Sequence, residues 1–205
     1  MKQEERRQQT IRRLMDSTKE LIVEKGCDSI TMQDIMNRSG LSKGAIFHYV
    51  KSKNEIFIWV LQERLEETNG SFMKEVEQGR RNFDEPMQKI KKSIIAYENP
   101  RDVTNKVLMY LLGKEKDPMV AEALMNYYDR SVYLSKIWIE TGQRHGVIPE
   151  TVDAEKTGDM FTLLTFGLRI RSTIPQAQAV FKAQDLVEFI SDMLNGSERR
   201  KDEEI

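Results

Sequence analysis

Residues 31–57 read TMQDIMNRSGLSKGAIFHYVKSKNEIF, and this stretch decides the fold. Thr31 precedes Met32, Ile35 and Met36 as an N-cap, and Asp34 sits in the first turn, where an acid favours the helix dipole. The helix so opened stops at Gly40. Ser42 then opens a second helix, KGAIFHYV, in which Ile46 and Val50 form an apolar pair one turn apart. Two short helices joined by Ser39-Gly40-Leu41-Ser42 make a helix-turn-helix. Gly40 supplies a backbone conformation that other residues resist, and Leu41 plugs the corner. The second helix projects Lys43, Gly44, Ala45 and His48 from its N-terminal end, where unpaired N–H groups and the dipole attract phosphate. Small residues let such a helix enter a major groove, and longer ones reach base edges.

Working outward, Ile11, Leu14, Met15, Thr18, Leu21 and Ile22 recur at helical spacing and Gly26 stands where a C-terminal cap belongs, so a first helix ends near Lys25. Ser52 is expected to cap a fourth helix whose seam is Ile56, Phe57, Val60, Leu61 and Leu65. Beyond it, prolines and acids punctuate further helices at about 84–99, 101–114, 117–142, 153–173 and 183–194. The expected fold is all-α with about nine helices. It comprises a three-helix domain at 1–52, a second helical domain at 53–196 and a charged tail at 197–205 read as disordered.

Composition narrows the function classes. The 205 residues carry 32 Lys+Arg against 33 Asp+Glu, and a chain this charged holds no apolar run of the ~18 residues a membrane span needs. The first residues, MKQEERR, lack the apolar core of a secretory signal, so the cytoplasm is the expected location. One cysteine, Cys27, excludes an internal disulfide and a multi-thiolate metal site. Charge is uneven: residues 1–60 hold 11 Lys+Arg and 8 Asp+Glu, and residues 35–54 hold Arg38, Lys43, Lys51 and Lys53 with no acid. A locally basic stretch on a slightly acidic chain suits a polyanion contact.

From about Thr10 to Phe57 the chain resembles the N-terminal DNA-binding domain of the TetR/AcrR family of bacterial transcriptional regulators. The resemblance rests on Ser42-Lys43-Gly44, Phe47-His48-Tyr49 and Lys51-Ser52-Lys53 occurring together at that family's spacing. It implies that Thr31 caps the second helix and touches a phosphate. It implies that Ser42, Lys43, Gly44 and Ala45 meet backbone and base edges, that Phe47 and His48 reach bases or the sugar–phosphate edge, and that Tyr49 and Lys53 donate to phosphates. Ala45 and Val50 depart from the pattern, which has a commoner polar residue and a phenylalanine there. It also gives the domain at 53–196 its expected roles of effector binding and homodimerisation, and the whole chain the role of a dimeric repressor on a near-palindromic operator in double-stranded DNA. Release by a small apolar or amphipathic effector follows from the same likeness. An effector-independent architectural DNA-binding protein of the same fold is the alternative.

The second domain adds two features. Met160–Leu168 is apolar nearly all round, so its helix must be covered on more than one side, which a dimer interface would do; Gly158 and Gly167 would let helices approach closely. Aromatic and methionine side chains are frequent enough for an adaptable pocket, with Tyr97, Tyr110, Tyr128, Trp138 and Phe161 as candidate walls and Arg130 or Glu98 as a polar handle. No enzyme, metal or cofactor is expected. The two histidines, His48 and His145, fit neither Glu-x-x-His nor His-Glu-x-x-His spacing, and Cys27 has no partner to activate it.

Overall fold

The computed structural model describes residues 2–78, 84–175 and 178–195. Through them run α1 (Lys2–Ser29), α2 (Met32–Ser39), α3 (Lys43–Phe47), α4 (Lys53–Glu77), α5 (Asp84–Ala96), α6 (Val103–Leu112), α7 (Pro118–Arg144), α8 (Ala154–Ser172) and α9 (Ala183–Leu194), with no strand among the described residues. No helix among them is long and apolar enough to cross a membrane. The charged tail expected at 197–205 lies outside the described residues.

Two compact units emerge. The first takes α1, α2, α3, α4 as far as Arg64, α6, and α7 to Leu124; the second takes α4 from Leu65, α5, α7 from Met125, α8 and α9. In the first, Leu14, Leu21 and Ile22 of α1 are buried, as are Ile35 of α2, Ile46 of α3, Val50 just beyond it, and Ile56 and Phe57 of α4. Val107, Leu108 and Leu111 of α6 are completely buried as well, and α6 packs against α1. Each such side chain contributes about 1.5–3 kcal/mol on burial. That outweighs a surface ion pair such as Lys19–Glu63, for which about 0–1 kcal/mol is usual.

Helix ends follow local chemistry, with one exception. At Gly26 the backbone takes φ 73° and ψ 163°, breaking α1 where the sequence puts its cap. Asp102 and Asp153 cap α6 and α8 by accepting from Asn105 N–H at 3.0 Å and from Glu155 and Lys156 N–H at 3.1 Å. Ser52, expected to cap α4, does not: its hydroxyl is buried with no hydrogen-bond partner among the described residues, while the carboxylate of Glu55 accepts the Lys51 N–H at 3.1 Å. That bond ties the chain entering α4 to its first turn, and it satisfies an N–H ahead of the helix rather than the ones a serine cap would serve.

The second unit centres on Phe72, Ile94, Ile139, Phe161, Leu168, Leu186 and Ile190. At Gly158 α8 lies close against α7: a Cβ there would stand 3.0 Å from Lys136 N and 3.2 Å from the Val132 carbonyl oxygen. Gly167 has nothing within 4 Å of that position. The apolar face of α8 is therefore covered on one side only, and Leu163 remains 63% exposed.

Candidate DNA-binding site and helical cavity

The α2–turn–α3 segment is fastened at both helix starts. Thr31 Oγ1 accepts the Asp34 N–H at 3.1 Å while the Asp34 carboxylate accepts the Thr31 N–H at 2.9 Å, a reciprocal capping box. The Thr31 hydroxyl donates to the same carboxylate at 2.7 Å, and Lys25 Nζ donates to its other oxygen at 2.7 Å. That lysine, with the threonine, holds the Asp34 carboxyl well below the usual carboxylate range. A phosphate at Thr31 would have to compete with Asp34 for the hydroxyl proton.

Gly40 closes α2 in the left-handed region, φ 64° and ψ 19°, its N–H donating to the Met36 carbonyl. A Cβ there would stand 2.9 Å from the tip of the Arg13 side chain, which can swing aside, so it is the left-handed conformation that calls for glycine. Leu41 is half-buried at the corner, and Ser42 Oγ accepts the Ala45 N–H at 3.2 Å to start α3. α3 is a five-residue helix rather than the eight expected, and His48 and Tyr49 follow as a turn. Ile46 and Val50 anchor it in the core. This leaves Ser42, Lys43, Gly44, Phe47 and His48 exposed, with Ala45 and Tyr49 half-buried. Phe47 is 42% exposed and carries the Lys43 ammonium 5.8 Å from its ring centroid; the His48 ring stands edge-on to Tyr49 at 4.9 Å. An exposed phenylalanine on a short helix is not a core residue, and it presents an apolar face beside a cation.

Two of the four cations counted along residues 35–54 are committed elsewhere. Arg38 pairs with Glu24 at 2.6 Å and Glu20 at 3.1 Å on α1. Lys53 donates its ammonium to the carbonyls of Cys27, Asp28 and Ile30, at 3.0, 3.1 and 2.8 Å, and lies 5.2 Å from the centroid of the Tyr110 ring. Burial lowers the Lys53 pKa. Lys43 and Lys51 make no ion pair among the described residues. Sequence distance hid these attachments, because the partners lie 14 to 26 residues upstream.

The candidate pocket residues separate. Tyr97, Trp138 and Phe161 line one cavity of about 80 Å³ in the second unit, whereas Tyr110 and Tyr128 do not. Tyr110, in the first unit, packs edge-on against Phe57 and donates to Asn54 Oδ1 at 3.3 Å. Tyr128 donates to Asp159 at 2.6 Å. The polar handles proposed from the sequence are engaged with other groups: Arg130 with Glu66 at 2.8 Å, and Glu98 with Arg171 at 3.2 Å. Sequence reasoning missed Arg169, which lines the cavity and is 2% exposed. An arginine closing the run Met160–Leu168 was the available signal.

Residues 14–60 match the family described as bacterial regulatory proteins, tetR family. No curated protein matches the chain significantly. Among solved structures, the chain is similar to a TetR transcription regulator from Haloarcula marismortui, at 17% identity and TM-score 0.67, over 92% of this chain and 97% of that one. It is similar to SmeT, the repressor of the Stenotrophomonas maltophilia multidrug efflux pump SmeDEF, at 15% identity and TM-score 0.60, over 91% of this chain and 89% of that one. A protein from Saccharomonospora viridis solved in complex with choline is similar at 18% identity and TM-score 0.65, over 92% and 97%. At these identities the likeness is one of fold.

Proposed function

We propose, for a chain that belongs by its DNA-binding domain to the tetR family of bacterial regulatory proteins, that it works in the cytoplasm as a homodimeric repressor released from its operator by a small ligand. The chain is a DNA-binding transcription regulator and not an enzyme, as that family is. The observation that carries the finer reading is the exposed Lys43, Phe47 and His48 on and beside a helix whose other side is anchored by Ile46 and Val50. Lys43 and Phe47 would meet base edges, with His48 beside them, while Ser42, Tyr49 and the backbone near Gly44 would fix register on phosphates. Ala45 would offer its methyl to a thymine methyl.

A dimer follows from the uncovered side of the second unit. Leu163, Gly167 and Ile170 form an exposed stripe on α8, and Phe189 on α9 is 43% exposed. Pairing these helices with a second copy would bury the stripe and present two α3 helices to half-sites about 34–36 Å apart. The cavity near Tyr97, Trp138 and Phe161 would receive the ligand. At about 80 Å³ it falls below the ~300–1,000 Å³ usual for ligand pockets, so binding would spread its walls. α4 carries Lys53 at its first residue and Leu65 and Thr68 in the cavity wall, and a spread of that wall would shift this helix. A coupling of about 1–3 kcal/mol would weaken operator binding ~5–150-fold. The repressor SmeT and the choline complex support repression and small-molecule binding on this fold.

Fluorescence anisotropy with DNA flanking the protein's own gene, across a salt series, tests the reading. Saturable binding that survives competitor DNA and is lost in Phe47→Ala or His48→Ala supports it. Binding indifferent to sequence, and unmoved by any effector, would instead favour the architectural alternative.

A further inference from the structure

We infer that Arg13, on α1, is a further phosphate contact of the DNA interface, gripping the backbone beside the groove that α3 enters. The inference rests on the docking of α3 proposed above and adds a contact from outside the helix-turn-helix. The stripe of α1 that faces α2 changes character along its length. Glu24 and Glu20, one turn apart, are both answered by Arg38 of α2, at 2.6 and 3.1 Å. Ser17, the next residue back along the stripe, is buried. Then comes Arg13, whose Nη2 stands 2.9 Å from the point that a Cβ on Gly40 would occupy. Its guanidinium therefore lies at the turn between α2 and α3, close to the Ser42 cap that opens α3. Gln9 and Arg6 continue the same stripe towards the start of α1, and both are exposed. The stripe is acidic and neutralised where α2 covers it, and basic where it runs past the turn.

Arg13 makes no ion pair or hydrogen bond among the described residues. Other cations of α1 and α2 are answered within the chain: Arg7 by Glu4 at 3.6 Å, Lys25 by Asp34 at 2.7 Å, and Arg38 as above. A structural role for Arg13 would need an acceptor, and the chain supplies none. Its guanidinium stays charged at any pH a protein survives, and its planar fork of N–H donors matches the paired oxygens of a phosphate. The acid that a DNA-binding chain meets next to its recognition helix is the sugar–phosphate backbone. Lys43 and Gly44, exposed in the first turn of α3, continue the surface from Arg13 towards the bases. Arg12 provides the contrast. It is exposed as well, but it lies about 100° further round the helix, turned away from both the buried face of α1 and the turn at Gly40.

The test uses the full-length protein and two labelled duplexes of equal length, one from the DNA flanking the protein's own gene and one of unrelated sequence. Binding is followed by fluorescence anisotropy across a salt series. Arg13→Ala should reduce the slope of log affinity against log salt by about 0.9 on both duplexes, and weaken binding ~5-fold near ~0.15 M salt. The preference between the duplexes should not change, because a phosphate contact carries no sequence information. Arg13→Lys should keep most of the slope. Arg12→Ala removes the same charge one residue away and should change the slope by less than half as much, since a charge held off the interface is screened. Circular dichroism and urea unfolding of Arg13→Ala should match the native protein. An unaltered slope in Arg13→Ala, an equal loss in Arg12→Ala, or no DNA binding by the native protein even at low salt would overturn the inference. Native protein that binds both duplexes alike, with a slope that falls in Arg13→Ala, would count against an operator at its own gene and leave this inference standing. Sequence-selective native binding with an unaltered Arg13→Ala slope would do the reverse.

Discussion

The ammonium of Lys53, the first residue of α4, donates to the carbonyl oxygen of Ile30 at 2.8 Å, just beyond the end of α1. With the Cys27 and Asp28 carbonyls it forms a three-acceptor clasp that satisfies backbone groups α1 leaves without helical partners. The resemblance assigns this lysine to phosphate, and the clasp gives it a structural task. Lys53→Met should therefore lower unfolding stability by about 1 kcal/mol in urea denaturation, allowing for partial exposure. The slope of log affinity against log salt for operator DNA should stay unchanged. A phosphate ligand would behave the other way, losing about one unit of slope with little change in stability.

The two serines beside the recognition segment should respond differently to truncation. Ser42 Oγ caps α3 through the Ala45 N–H, so Ser42→Ala should cost about 1 kcal/mol. Ser52 holds a hydroxyl with no partner among the described residues, and Ser52→Ala should change stability by less than ~0.5 kcal/mol. Thermal or urea unfolding of the two variants checks this, and equal losses would mean that Ser52 caps α4 after all.

What could be read from residues alone were features whose partners lie within one turn. Thr31 as the cap of α2, the turn at Gly40, the break at Gly26 and the start of α9 at Ala183 each rest on the residue itself or on neighbours three or four positions away, although the return bond from Asp34 to the Thr31 N–H was read only as an acid in the first turn. Arg38, Lys53 and Arg169 were not readable in this way. Their roles depend on Glu24, the Ile30 carbonyl and Tyr127, which are 14, 23 and 42 residues distant in the chain. A charge count along residues 35–54 therefore overstated the basic surface by two side chains. The same limit split the pocket aromatics: composition favoured Tyr110 and Tyr128 as much as Tyr97, and only packing placed Tyr97 at the cavity.

Acid should loosen the start of α2. Asp34 has its pKa depressed in the folded chain, first by the hydrogen bond from Lys25 and then by those from Thr31. Its folded pKa lies below its unfolded value, so the stabilisation is fully present above about pH 4 and is lost as pH falls below that. Asp34→Asn should be less stable than native at pH 7, and the difference should shrink towards pH 3. A difference independent of pH would remove the carboxylate from the account.

Cys27 should be inert as a thiol sensor. It is 6% exposed, and burial pushes its thiol up to about 11. Roughly one thiol in 10,000 is then ionised at pH 7, so disulfide reagents should label the native protein far more slowly than the urea-unfolded one. Mild peroxide should leave DNA binding unaltered. Rapid stoichiometric labelling under native conditions would instead mean an accessible, ionised thiol.

The two glycines of α8 separate folding from assembly. Gly158 lies against α7, where a Cβ would stand 3.0 Å from the Lys136 backbone nitrogen; backbone cannot swing aside as a side-chain tip can. Gly158→Ala should therefore destabilise the second unit, by about 1–3 kcal/mol as overpacking does. Gly167 faces open space and sits on helix with Leu163 and Ile170 exposed on either side. In an isolated chain Gly167→Ala should be neutral or slightly stabilising, because alanine favours helix by ~1 kcal/mol over glycine. Its effect should appear in assembly, where a close helix crossing in the proposed dimer has no room for added bulk. Leu163→Asp should act more strongly, giving a folded monomer in analytical ultracentrifugation whose operator affinity falls at least ~100-fold, since one half-site is lost. A Leu163→Asp protein that remains dimeric and binds operator normally would show that the exposed stripe on α8 is not the dimer interface.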